Sequence, residues 1–490
     1  MASVPSNKDR KVRWWTTFLL IAAIAAVYLG TIREGHVWGD DFALFVLHAR
    51  NIALGLPYSD TAYLYNPEYP DIGPKTAPPV LPLLLAPVYR FAGLNIRVMK
   101  MEEIGFLLAG LVCVTLLLSY FLPFPHVLAI VVVLALNPLS FYMKDQILTD
   151  VAFFLFCYLA LYLITRAEAA GESSRHLWLP LSVLIYLAYG TRILGVVLLV
   201  ALVVAYLISR RIPGRTVILT AVVSSILIGV QTLMLRGTVT YKDNLTHAKG
   251  FGFTPAHLVS NLVAIQWVLR HQVWLAGSSA VLSWALLVLL LALACWGFYI
   301  RVRGGVSCLD VFAVLYLIAT VTLPPSEDPR YLYPLLPLWL FYVATALSAV
   351  AVERTRIALG GLILALIAAS YVSAYRTADL GPIAEGIGDP GFRTVCAYLT
   401  EHSPAKAVFI FPKPRILGLI TDHPTTAVSP TSTFDEMKSY LNEVHGRFVI
   451  TTTDFPEDQQ HWEQFAAANA GTLRKMLGIR SFVVYQVEQP

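Results

Sequence analysis

The chain has 490 residues, of which 57% are hydrophobic and 14% charged, and its net charge is +5. Soluble domains usually carry about 25% charged residues, so this composition excludes a soluble globule and points to a chain that crosses a bilayer repeatedly. The positive charge is spread thinly, which excludes a nucleic-acid partner. The five cysteines (Cys113, Cys157, Cys295, Cys308 and Cys396) show neither zinc spacing nor a disulfide framework.

In chain order, the first apolar run, 14–31, follows a basic stretch, "KDRKVR". It is long for a signal peptide and reads as an uncleaved first span. Further spans are expected at 103–122, 126–142, 150–165, 177–190, 193–208, 216–235, 278–300, 308–323, 331–351 and 356–374, making about eleven. The run 177–208 must be split, because Arg192 in "YGTRILG" would otherwise sit at mid-bilayer, where a charge is costly. Lys8, Arg10, Lys11 and Arg13, then Arg166 with Arg175, Arg210 with Arg211 and Arg215, Arg301 with Arg303, and Arg354 with Arg356 all fall on one side of such a bundle. The excess of Lys and Arg in short cytoplasmic loops therefore places the N-terminus inside and the C-terminal region outside.

Three segments lie outside the spans. The first outer loop, 32–102, opens with "HVWGDDFALF" and continues as "FALFVLHARNIALG", with Phe42, Phe45, Val46, Leu47, Ile52 and Leu54 at mixed helical spacing. This predicts a helix along the membrane surface. The same loop ends in a stretch holding Pro74, Pro78, Pro79 and Pro82, too broken for a full span. A second amphipathic segment is expected in the outer loop 236–277, which also carries an Asn244-Leu-Thr sequon taken as a chance match. The third is the polar tail. It alternates helix-like "GFRTVCAYLTEH", "FDEMKSYLNEV" and "QQHWEQFAAANAGTLRKM" with strand-like "AVFIF", "RFVITTT" and "SFVVYQV". That predicts a small α/β domain over 375–490, set against a membrane domain over 1–374.

Acidic residues gather at the outer span ends: Asp40 and Asp41 after the first span, Asp145 and Asp150 in "YMKDQILTD", and Glu327 with Asp328 in "PPSEDPRYLYP". Lys75, Lys144, Arg192 and Arg330 join them there, so these loops are expected to converge on an outward-facing site at the water–lipid boundary. Transporters bind near the midplane between repeated halves, and neither a mid-span acid nor a repeat is visible. A rim site suits a substrate with a polar reactive head and a lipid tail. Glycosyl transfer from a lipid phosphate needs a carboxylate as general base for the acceptor hydroxyl. It also needs cations for the charge developing on the phosphate. Direct attack with a single base inverts the anomeric centre.

The layout resembles the GT-C superfamily of polyprenyl-phosphate-sugar-dependent glycosyltransferases, especially bacterial members resembling protein O-mannosyltransferases and the lipid A aminoarabinose transferase. The features that carry the resemblance are "DDFALFVLHARNIALG" after span one, "PPVLPLLLAPVY", "NPLSFYMKDQILTDVAF", "TRILG", "PRYLYPLLP" and the small outer C-terminal domain. The resemblance implies a polytopic all-α bundle and an inverting transfer from a polyprenyl-phosphate sugar to a lipid, glycan or protein hydroxyl. It would occur on the outer face of the cytoplasmic membrane. The family's acidic pair is commonly Asp-Glu, whereas this chain has Asp-Asp. The downstream "ARNI" spacing implies Asp41 as base with Asp40 as neighbour. Asp150 corresponds to the second acid, with Asp145 as its alternative. Lys75, Arg192 and Arg330 are the donor-phosphate candidates, Glu327 is a further candidate, and the C-terminal domain is expected to hold or screen the acceptor.

Other roles are open to the same residues. Asp40 or Asp41 could cap the surface helix, and Asp150 could cap span four. Arg192 and Arg330 could be interfacial anchors, and Lys75 a solvated loop charge. His36 and His48 flank the acid pair and read as hydrogen-bonded residues. No cofactor is expected, a divalent metal held with the acids being the alternative. The rival functions are a lipid-linked-sugar flippase or a non-catalytic lipid-phosphate binder.

Overall fold

The computed structural model describes residues 7–240, 243, 255–270, 280–322 and 329–488. Glu327, Asp328 and the Asn244 sequon lie outside these. The chain divides into two compact units. One comprises Met1–Ile32, Lys100–Met234 and Gly250–Leu380; the other comprises Arg33–Met99, Leu235–Lys249 and Gly381–Pro490. This division differs from a cut at 374, because the first outer loop packs with the tail.

The first unit is a polytopic helix bundle. Seven continuous helical stretches among the described residues are long and apolar enough to cross a membrane: Arg10–Gly30, Ile96–Leu118, Thr149–Thr191, Gly214–Met234, Ser283–Arg303, Arg330–Ser348 and Glu353–Thr377. Shorter apolar helices at Phe124–Ala135, Ile193–Ser209 and Cys308–Thr322 account for the remaining expected spans. Large apolar side chains such as Phe18, Ile226, Leu233, Val288 and Leu362 stand exposed on these helices. In water that would be an aggregation hazard; against lipid it is the lowest-energy arrangement.

Local chemistry sets the breaks. The expected span 126–142 is interrupted, because Asn137 caps a new helix, Pro138–Met143, its side chain accepting from the Leu139 N–H at 2.9 Å. Proline at the first helical position has no N–H to lose there. The long stretch Thr149–Thr191 is two helices, Thr149–Ala170 and Trp178–Thr191, packed together and joined by the 3-10 turn Gly171–Leu177. Arg192 takes an extended conformation, a 3-10 turn Ile193–Gly195 follows, and Val196–Ser209 continues as helix. A Cβ on Gly195 would stand 2.3 Å from the Tyr189 nitrogen, so this reversal requires glycine.

The second unit is built on a five-stranded sheet of order β2-β1-β3-β5-β4. Its strands are β1 Val408–Ile410, β2 Thr425–Thr426, β3 Gly446–Thr452, β4 Leu473–Ile479 and β5 Phe482–Val487. β2, β1 and β3 are parallel, whereas β3–β5 and β4–β5 are antiparallel. The expected helix over 459–476 stops at Ala468; Gly471, with φ +92°, turns the chain and "LRKM" enters β4 instead. That segment has no helical register of its own and takes its form from pairing with β5. The helix Pro414–Thr421 and strand β2 were not anticipated.

The first outer loop belongs to this sheet. The Thr425 N–H donates to the Ala62 carbonyl and the Leu64 N–H to the Thr425 carbonyl, both at 2.8 Å, which adds a rung beside β2. Residues 33–36 are tied to 381–386 by the Ile383 N–H on the Glu34 carbonyl (2.8 Å) and by Arg33 Nε on the Gly381 carbonyl (2.7 Å). The expected loop helix forms as Asp40–Leu54, with Phe42 to Leu47 buried. It packs on Val80–Ala92 and on Pro414–Thr421.

Candidate active site

In the second unit the acid pair opens the helix Asp40–Leu54 behind Gly39. Neither aspartate caps its own helix. Asp40 instead caps another: its Oδ1 accepts the N–H groups of Arg415 (3.1 Å) and Ile416 (3.3 Å), in the first turn of Pro414–Thr421. The residue preceding that helix, Lys413, provides no side-chain cap. An anion placed there meets unsatisfied N–H groups and the positive end of the helix dipole.

Arg415 turns back onto the same pair. Its Nε lies 3.5 Å from Asp40 Oδ2, Nη1 donates to Asp41 Oδ1 at 2.9 Å, and Nη2 donates to the Pro74 carbonyl at 2.7 Å. The guanidinium lies over the Tyr63 ring, 5.0 Å from its centre. Gly73, at φ +99°, leaves the room for this: a Cβ would come within 2.8 Å of Nη2. Arg415 is fully buried, and a buried guanidinium is tolerable only when charge and donors are both answered.

The two aspartates therefore differ. Asp40 is buried, while the Asp41 side chain is 40% exposed. Burial pushes the Asp40 carboxyl up to about 6, against the opposing pull of Arg415 and Lys413. Asp41 is held through one oxygen, and its Oδ2 has no hydrogen-bond partner among the described residues. Lys75, half-buried, follows the carbonyl that Arg415 grips and makes no ion pair among the described residues.

The flanking histidines are packed. The His48 Nδ1–H donates to the Tyr58 carbonyl at 2.7 Å and Nε2 accepts the Ala77 N–H at 3.2 Å, while burial lowers the imidazole to about 4. His48 is thus neutral with both nitrogens engaged. His36 stacks on Phe42, its Nδ1 3.1 Å from the Val37 carbonyl oxygen. Among the described residues no group of three His, Cys, Asp or Glu is placed to hold a metal.

In the membrane unit, three of the sequence-derived candidates come together. Asp150, in the first turn of Thr149–Ala170, pairs through Oδ1 with Arg192 and through Oδ2, at 3.7 Å, with Arg330. Arg192 also covers the Tyr331 ring at 4.6 Å. Asp145 stands with other partners, Lys144 at 2.6 Å and Lys100 at 3.8 Å, both lysines fully buried. Lys144 also donates to the Thr31 carbonyl at 2.6 Å.

Sequence reasoning missed Arg415 and Lys413. The signal was "AVFIFPKPRILG", a strand running through a proline turn into a helix. In open α/β sheets ligands gather at the carboxyl ends of parallel strands, and here that position holds Asp40.

No family model and no curated protein matches the chain. Solved structures do. ArnT from Cupriavidus metallidurans bound to undecaprenyl phosphate aligns over 96% of this chain and 97% of its own, at TM-score 0.60 and 12% identity. The archaeal oligosaccharyltransferase AglB from Archaeoglobus fulgidus, in complex with an inhibitory peptide and a dolichol-phosphate, aligns over 97% and 75%, at TM-score 0.63 and 12% identity. The arabinofuranosyltransferase AftD from Mycobacteria aligns over 96% of this chain but 42% of its own, at TM-score 0.56 and 14% identity. At such identities the likeness to ArnT, AglB and AftD is one of fold alone.

Proposed function

We propose that the chain is an inverting membrane glycosyltransferase. It would move a sugar from a polyprenyl-phosphate donor to an acceptor hydroxyl on the outer face of the cytoplasmic membrane. The observation that carries this reading is the state of Asp41: an exposed carboxylate with one oxygen pinned by a buried guanidinium and the other directed to no protein donor among the described residues. A general base needs that arrangement, with a fixed orientation and one accepting oxygen turned to the substrate. Asp40 is unsuited to the role, because it is buried and its oxygens serve the Pro414–Thr421 helix and Arg415.

In the reaction the acceptor O–H gives its proton to Asp41 Oδ2 while its oxygen attacks the anomeric carbon. The bond from that carbon to the phosphate oxygen breaks, and its electron pair leaves with the polyprenyl phosphate. Attack opposite the leaving group inverts the centre. Lys75, beside the acid pair, is assigned to the phosphate, whose developing charge favours an ammonium partner; Arg192 and Arg330 of the membrane unit, taken by themselves, are a separate phosphate candidate. ArnT was solved with undecaprenyl phosphate and AglB with a dolichol-phosphate, which supports a donor of this class. No metal is assigned. The acceptor, which is a lipid, glycan or protein hydroxyl, is assigned to the aqueous side, with the C-terminal region screening it.

The test is release of labelled polyprenyl phosphate from a panel of polyprenyl-phosphate hexoses and pentoses, by the purified protein in lipid. Turnover with inverted configuration in the product, or in the free sugar released to water, is expected. Tight donor binding without release from any donor would instead point to a flippase or a lipid-phosphate binder.

A further inference from the structure

Resting on the assignment of Asp41 as base, we infer that Arg415 is the positioning residue of the reaction, and that the helix carrying it is a built-in part of the catalytic apparatus. β1 ends at Ile410, the chain turns through Phe411–Lys413, and Pro414–Thr421 follows as a helix. That strand–turn–helix element presents two N–H groups where α/β folds commonly hold an anionic ligand. Here the anion is Asp40, from a helix more than 350 residues earlier in the chain. The element has become a clamp on the acid pair.

The clamp has a defined geometry. Asp40 fixes the helix N-terminus, and the helix directs the Arg415 side chain across both carboxylates. The Pro74 carbonyl, the Tyr63 ring and the space at Gly73 then orient the guanidinium plane. Nη1 takes Asp41 Oδ1 and leaves Oδ2 for the acceptor proton. The guanidinium donors form a rigid fork, so a lysine here could supply charge but not this orientation. Arg415 itself is buried, so its effect on the substrate runs through Asp41.

The consequence is a loss in kcat rather than in donor binding. Arg415→Lys is expected to lower the release rate by about 100-fold, the scale on which small misplacements of a catalytic group act, with the donor KM and Kd unchanged. Because a lysine could fail to fold in this cavity, a second variant combines Arg415→Met with Asp40→Asn. It removes the buried pair as a neutral exchange, which folded proteins commonly tolerate, and the Asn oxygen can still accept both helix N–H groups. It is expected to melt near the native temperature, to bind donor normally and to show the same loss of kcat. Asp41→Asn is run beside them. If Asp41→Asn is inactive while either Arg415 variant turns over at the native rate, the inference is overturned and the base assignment stands. If Asp41→Asn is fully active, the base assignment fails first. A double variant that folds but loses donor binding in step with activity would overturn the inference by making Arg415 a donor ligand. Failure of both Arg415 variants to fold would also overturn it, by making the residue structural alone.

Discussion

The two charged clusters invert one another. In the second unit one buried guanidinium, Arg415, serves two carboxylates, of which Asp41 is left at the surface. In the membrane unit one buried carboxylate, Asp150, draws in two guanidiniums, Arg192 and Arg330. Residues of the same types, in opposite proportion, are suited to opposite tasks. The first arrangement presents a proton acceptor, and the second gathers the fork-shaped donors that recognise phosphate. Each cluster depends on its minority member, because removing that member leaves a buried charge without its counter-ion.

The largest effect is expected in the membrane unit. Asp150→Asn leaves Arg192 and Arg330 without their shared carboxylate and should destabilise the protein by about 3–5 kcal/mol, the range for removing one partner of a buried pair. Saturating polyprenyl phosphate should recover part of the lost melting temperature if the cluster binds phosphate. Unchanged melting in both conditions would remove the cluster from the account.

A smaller effect is expected from Asp40. Its folded-state carboxyl sits at about 6, above the ordinary value of 3.8, because burial disfavours the charge. A raised carboxyl contributes stability that is full below about pH 4 and is lost as pH rises through 6. The change amounts to about 3 kcal/mol, at roughly 1.4 kcal/mol per pH unit. Asp40→Asn should flatten the melting curve against pH across that window, and an unaltered pH slope would reassign it to other groups.

The smallest effect belongs to Lys75. Lys75→Met should lower kcat by less than about tenfold with the donor KM little changed, as expected for a contact to charge that develops on the leaving phosphate. A raised KM with kcat held would make Lys75 a binding contact only.

Much of the membrane architecture was legible because hydropathy is local. Each expected span meets a helix, and the break at Arg192 could be read from one charge inside an apolar run. The interruption at Asn137–Pro138 was written in the sequence as a cap followed by proline, but the apolar residues around it masked the signal. The acid pair was visible from its place after the first span, and Asp150, Arg192 and Arg330 from their place at span ends. The difference between Asp40 and Asp41 was not visible, since it depends on Arg415, brought to the pair by the sheet. For the same reason the joining of the first outer loop to the tail could not be read, because the rung between Ala62, Leu64 and Thr425 links segments far apart in the chain. β4 went unread because its pairing with β5, rather than its own pattern, decides its form.

The role of Asp41 as base is tested most directly by a single-turnover measurement on Asp41→Asn, with donor occupancy determined in the same sample. Native occupancy is expected, with a rate of polyprenyl phosphate release lower by about 10²–10⁴-fold, the usual worth of a general base. Native release at native occupancy would contradict it and remove Asp41 from the chemistry.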